Sequence, residues 1–73
     1  MSEHVSPRRR RVGVVGYGKL GQYLVEAILA RPEALELAFV WNRSAERIPA
    51  GLPVLQDLTQ CASFAPDLII EVR

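Results

Sequence analysis

Gly16, Gly18 and Gly21 stand in the run Gly16-Tyr17-Gly18-Lys19-Leu20-Gly21, a G-x-G-x-x-G spacing. Residues without side chains at these intervals suit one chemistry above others: they let backbone N–H groups come close to a phosphate. Glycines fall at such spacings by chance in many loops, so the pattern gains its weight from position. The run Val12-Gly13-Val14-Val15-Gly16 leads into it and reads as a strand buried on both faces, ending in the first of these glycines. An amphipathic helix opens straight after it. In that setting each glycine has its own task. Gly16 lets the chain turn tightly, Gly18 leaves room for a pyrophosphate, and Gly21 lets the helix pack closely on the strand. The N–H groups around Gly18, Lys19 and Leu20 then face phosphate oxygens at the positive end of the helix dipole.

A dinucleotide needs a second contact, at the adenosine ribose. NAD sites usually carry an acidic residue about twenty positions beyond the glycines, where the second strand ends. Here that stretch reads Trp41-Asn42-Arg43-Ser44 and holds no carboxylate. Arg43 suits a charge-assisted pair with a 2′-phosphate, with Asn42 and Ser44 hydrogen-bonding beside it. NADP is the expected cofactor. NAD stays open, because Asn42 can also reach ribose hydroxyls.

The elements that must position these residues follow from pattern. A helix is expected from Lys19 to Ala30, with Leu20, Leu24, Ala27 and Ile28 as its apolar stripe, and Pro32 stops it. Leu35 to Trp41 reads as a second strand. Ser44 is placed to cap a short turn through Ala45, Glu46 and Arg47, and Pro49, Gly51 and Pro53 break the chain beyond it. Val54-Leu55 reads as a brief third strand. Asp57 to Phe64 reads as a second helix with Leu58, Cys61 and Ala62 toward the core, and Leu68 to Val72 as a last strand. Alternation of this kind implies an α/β fold with a parallel sheet and right-handed crossovers. We expect the first half of a doubly wound, Rossmann dinucleotide-binding domain: a flexible basic arm over 1–10, then an incomplete domain over 11–73.

Composition agrees with a packed domain. Of 73 residues, 49% are hydrophobic and 23% charged, which excludes low-complexity disorder beyond the N-terminus. A chain this short buries only roughly 60% of the surface its unfolded form exposes, so its core is small. Arg8, Arg9, Arg10 and Arg11 form one basic block with no aromatic residue between them. Base stacking has no platform there, and the block reads as a solvated lead-in to the first strand, not a nucleic-acid arm. His4, the single histidine, reads as a solvated tail residue. The single cysteine, Cys61, excludes an internal disulfide, forms no metal cluster and reads as a small buried hydrophobe. No secretory signal or membrane-length apolar run is present, so a cytoplasmic location is expected.

Three segments together resemble one family. Arg11-Val12-Gly13-Val14-Val15-Gly16-Tyr17-Gly18-Lys19-Leu20-Gly21, then Phe39-Val40-Trp41-Asn42-Arg43, then Pro66-Asp67-Leu68-Ile69-Ile70-Glu71-Val72 are similar to the aspartate dehydrogenase family. The resemblance implies NAD(P)-dependent oxidation of the amino-bearing carbon of L-aspartate or a related amino acid. Hydride passes to the nicotinamide, and the imine left behind hydrolyses to oxaloacetate and ammonia. It also implies that the Gly16–Gly21 turn holds the pyrophosphate and that the strand end at Glu71-Val72 lies toward the nicotinamide. Family members continue past this pair with a small residue and a histidine–proline step, then a second domain with the substrate pocket and catalytic histidine. Arg73 stands in place of that continuation. No residue here takes a catalytic or metal-binding role, and the chain is expected to be a truncated product, inactive alone. The residues also suit another NADP-dependent reductase, such as a homoserine dehydrogenase or an imine reductase. A further alternative is a non-catalytic module that pairs with a copy of itself or a longer partner through its open sheet edge.

Overall fold

Valine-rich and aromatic runs take the strand positions, as their stiff, branched side chains favour. In a computed structural model that describes residues 9–72, three strands pair in parallel: β1 (Arg10–Val15), β2 (Leu35–Trp41) and β3 (Leu68–Glu71). Most of the basic arm, with His4, lies outside the described residues, as does Arg73. The sheet order is β2-β1-β3. On the far side of β2, Val54 forms a single parallel bridge with Val40, so the expected third strand is reduced to one residue pair. The chain therefore moves outward from β1 to β2 to Val54, then crosses back to place β3 on the other side of β1. That reversal is the topological switch of a doubly wound α/β fold, and ligands in such folds bind beyond the strand ends at the switch.

The sheet is covered on both faces. Helix α1 (Lys19–Leu29) packs Val25 and Ile28 with Val12, Val14, Leu37, Val40 and Ile48. Its buried face is Gly21, Val25 and Ile28, one position round from the expected stripe; Leu20 is 56% exposed and Ala27 is exposed too. The cause is Gly21. A residue lacking a side chain brings the helix against the turn, and that contact sets the rotation of the helix. The opposite face holds Ala38, Phe39 and Leu55, with Cys61 and Phe64 packed on them and the rings of Phe39 and Phe64 meeting edge to face at 5.9 Å. Phe39, Val14, Val25 and Val40 are the largest fully buried side chains. Each contributes about 1.5–3 kcal/mol by leaving water.

The strand pairing explains a glycine that the sequence left without a task. Val12 pairs with Leu37 but Gly13 pairs with Phe39, so β2 carries one extra residue, Ala38, at that point. The bulge sends Ala38 and Phe39 into the same cluster and lays the Phe39 ring over Gly13, where a Cβ would overlap it. Gly13→Ala is expected to cost about 1–3 kcal/mol of stability, the usual range for overpacking a closed core. Urea unfolding measures it, and an unchanged midpoint would show that the ring moves aside freely.

The segment Leu58–Phe64 is a 3₁₀ helix, not the α-helix expected. With about three residues per turn, the row 58, 61, 64 faces the sheet in place of 58, 61, 62. Cys61 and Phe64 are accordingly half-buried, while Leu58 is 38% exposed at the rim and Ala62 faces outward. Asp57 caps its start, accepting from the hydroxyl and the N–H of Thr59, and these bonds hold its carboxyl below the usual range. Arg11 clamps its end: Nη2 donates to the Phe64 carbonyl at 2.6 Å, Nε donates to the Ala65 carbonyl at 3.1 Å, and Nη1 lies 2.8 Å from Glu36. Arg9 also faces Glu36, at 3.4 Å. Arg11 thus fastens the sheet to the end of the 3₁₀ helix, while Arg9 and Arg11 both pair with Glu36 on β2. Along β3, Leu68 and Ile69 are 55% and 43% exposed at the sheet's open edge.

Candidate nucleotide-binding turn

The turn between β1 and α1 lies where β1 and β3 end, beside the switch. Each of its glycines stands in a different environment. Gly16 adopts φ +109°, a conformation that side-chain-bearing residues avoid, and a Cβ there would stand 2.5 Å from the Val72 carbonyl oxygen. A Cβ on Gly21 would overlap the Gly16 carbonyl. Both glycines are thus required by the fold itself. Gly18 is not: its φ is −77° with extended ψ, and a Cβ would meet nothing within 4 Å. Any residue would fit there as far as this chain is concerned. The missing side chain leaves open space directly at the start of α1.

Gly18 is also the N-cap of α1, and the first helical bond at this end runs from the Gln22 N–H to the Gly18 carbonyl. The N–H groups of Lys19, Leu20 and Gly21 therefore lie ahead of the helix's own ladder, at its partially positive end. No acidic residue occupies the first turn to meet that charge, and exposed Lys19 adds to it. The electrostatics of this end favour an anion.

The end of β2 is joined to the turn directly. Gly16 N–H donates to the Trp41 carbonyl at 2.7 Å, and Tyr17 N–H donates to Asn42 Oδ1 at 2.9 Å. Asn42 Nδ2 in turn donates to the Ser44 carbonyl at 3.0 Å. Arg43 is exposed, between two residues engaged in this network. The expected residues thus come together in two adjacent groups: Gly16, Tyr17, Gly18, Lys19, Leu20 and Gly21 around the helix start, and Asn42, Arg43 and Ser44 beside it. Leu20 contributes its backbone, since its side chain points to solvent. Ser44 makes no side-chain cap to the following 3₁₀ turn, Ala45–Arg47. Twenty-five residues separate Tyr17 from Asn42, and no local sequence pattern links the pair.

Fold and turn together define part of a Rossmann-like α/β unit, with its glycine turn at the switch point. The chain is a homologue of the aspartate dehydrogenase domain-containing proteins. It is 49% identical to the one from Xenopus tropicalis over 70 aligned positions, covering 89% of this chain and 25% of the relative. It is 46% identical to the one from Danio rerio over 67 positions, covering 85% and 24%. The chain thus spans about a quarter of the length of these curated relatives. No family model matches it, and no solved structure matches it. Among the described residues, no helix is long and apolar enough to cross a membrane.

Proposed function

We propose that this chain is the phosphate-holding portion of a nicotinamide-dinucleotide site in an aspartate-dehydrogenase-type oxidoreductase. One observation carries the reading: Gly18 has no side chain where neither backbone conformation nor packing requires its absence. Space kept free at a helix start, beside N–H groups outside the helical ladder, fits a pyrophosphate. The names of the relatives support the cofactor class and an aspartate-type substrate.

In this reading the N–H groups of Lys19, Leu20 and Gly21 hold phosphate oxygens, and the Lys19 ammonium adds charge at the rim. Arg43 and Ser44 take the 2′-phosphate of NADP. Once bound, the nicotinamide supplies hydride acceptance from the carbon that bears the amino group. The residues described here bind and orient; the substrate pocket and the proton-transfer group belong to other parts of the whole enzyme.

A fluorescence titration tests the reading. Trp41 is half-buried, and its carbonyl accepts from the turn at Gly16, so it reports on a ligand seated there. Saturable quenching by both NADPH and NADH, tighter for NADPH, is the expected result. A folded chain whose fluorescence and heat of mixing respond to neither cofactor would remove the proposal.

A further inference from the structure

One N–H of the glycine turn is bonded to a side chain from the loop after β2. Tyr17 N–H lies between Gly16 and Gly18 and follows the Gly16 N–H, which is already bonded to the Trp41 carbonyl. It donates to Asn42 Oδ1, so this N–H is not offered to a ligand. Asn42 is half-buried, and its other amide atom is engaged as well, donating to Ser44 across the exposed Arg43. One planar amide therefore spans two segments that share no sequence neighbourhood: the turn after β1 and the loop after β2.

Two properties of asparagine are needed at once. The Tyr17 N–H requires an acceptor, and the Ser44 carbonyl requires a donor. Aspartate supplies the first and not the second; leucine, of similar size, supplies neither. We propose that Asn42 is a positioning residue for the dinucleotide, not a ribose ligand: it fixes the shape of the phosphate turn and, through Ser44, the stance of Arg43. The proposal rests on the dinucleotide reading above and refines it. It accounts for phosphate contacts that begin after Tyr17, and it couples the turn to the residue that reads the 2′-phosphate.

The test compares Asn42→Leu and Asn42→Asp with the parent chain, each first shown to be folded by circular dichroism. Amide hydrogen exchange at Tyr17, read by NMR without ligand, reports the bond itself. Asn42→Leu is expected to raise Tyr17 exchange about tenfold or more, the scale of one lost hydrogen bond, while Asn42→Asp retains the protection. Titrations with NADPH and NADH read the consequence. Asn42→Leu is expected to weaken NADH by about tenfold and NADPH by more, narrowing the gap between them, because the Arg43 loop is released. Asn42→Asp is expected to lose NADPH affinity selectively, by charge and by the lost Ser44 bond. A folded Asn42→Leu chain with unchanged Tyr17 exchange overturns the proposal. So does one with raised exchange but unchanged affinities. A parent chain that binds neither cofactor instead overturns the dinucleotide reading and the binding half of the proposal, while the exchange measurement still decides whether Asn42 holds the turn.

Discussion

Gly18→Val is expected to leave the fold standing and abolish dinucleotide binding, and Gly18→Ala to weaken binding with little change in stability. The two effects separate because this glycine is free of the constraints on its neighbours. Its φ of −77° suits any L-residue, and among the described residues nothing beyond its chain neighbours lies within 4 Å of an added Cβ. Alanine there removes backbone freedom from the unfolded chain, worth about 0.4–1 kcal/mol, but it is a poorer N-cap than glycine by a similar amount, so the two nearly cancel. A phosphate seated on the N–H groups of Lys19 to Gly21 meets the new side chain. Hydrogen bonds to a charged group contribute about 1.5–3 kcal/mol each, so losing two weakens binding by more than about a hundredfold. Paired urea unfolding and NADPH titration measure both sides. Gly16→Ala and Gly21→Ala are the controls: there the added Cβ runs into the Val72 and Gly16 carbonyls, so binding falls together with stability. Undiminished affinity in folded Gly18→Val would mean that the open space at the helix start serves some other purpose.

This separation also shows what sequence could and could not reveal. The G-x-G-x-x-G spacing, the strand before it and the bounds of β2 were all legible, because short-range patterns of apolar residues and breakers specify them. The relative importance of the three glycines was not. Spacing gives Gly16, Gly18 and Gly21 equal standing, and only the backbone shows that two are held by geometry and one is not. The same limit applies to the rotation of α1. Leu20 and Leu24 looked like core positions by hydrophobicity, yet the packing surface is centred on Gly21, a residue that hydropathy treats as neutral. In Leu58–Phe64 the helical signal was read with the wrong period, since α and 3₁₀ rows share residues 58 and 61 and part only at 62 against 64. Gly13 and Asn42 act through partners 26 and 25 residues away, at Phe39 and Tyr17. Long-range contacts of that kind leave no local trace in a single sequence.

Arg43→Glu is expected to invert the preference between cofactors, weakening NADPH by about 1.5–3 kcal/mol, roughly ten- to a hundredfold, with little change for NADH. The two ligands differ in the 2′-phosphate alone. The residues ending β2 and entering the following loop, Trp41 to Ser44, place no carboxylate beside it, so nothing there repels that group in the native chain. Arg43 is exposed, and its guanidinium can present two parallel donors to phosphate oxygens. Glutamate removes the donors and adds repulsion. The exposure that makes Arg43 available also sets how strongly it acts, because an exposed pair is screened by salt over about 8 Å at physiological ionic strength. The NADPH advantage is therefore expected to shrink as salt rises, and Arg43→Lys, a point charge without the paired donors, to keep only part of it. Equal losses for both cofactors in Arg43→Glu would show that the arginine supports the loop and does not read the phosphate. In that case the Asn42–Ser44 bond, which holds Arg43 in place, would account for the cofactor affinity, and the preference between NADPH and NADH would have to come from the N–H groups of the turn. In the proposed site those groups meet the pyrophosphate that both cofactors share, so equal losses in Arg43→Glu would remove the proposed NADP preference together with the role of Arg43.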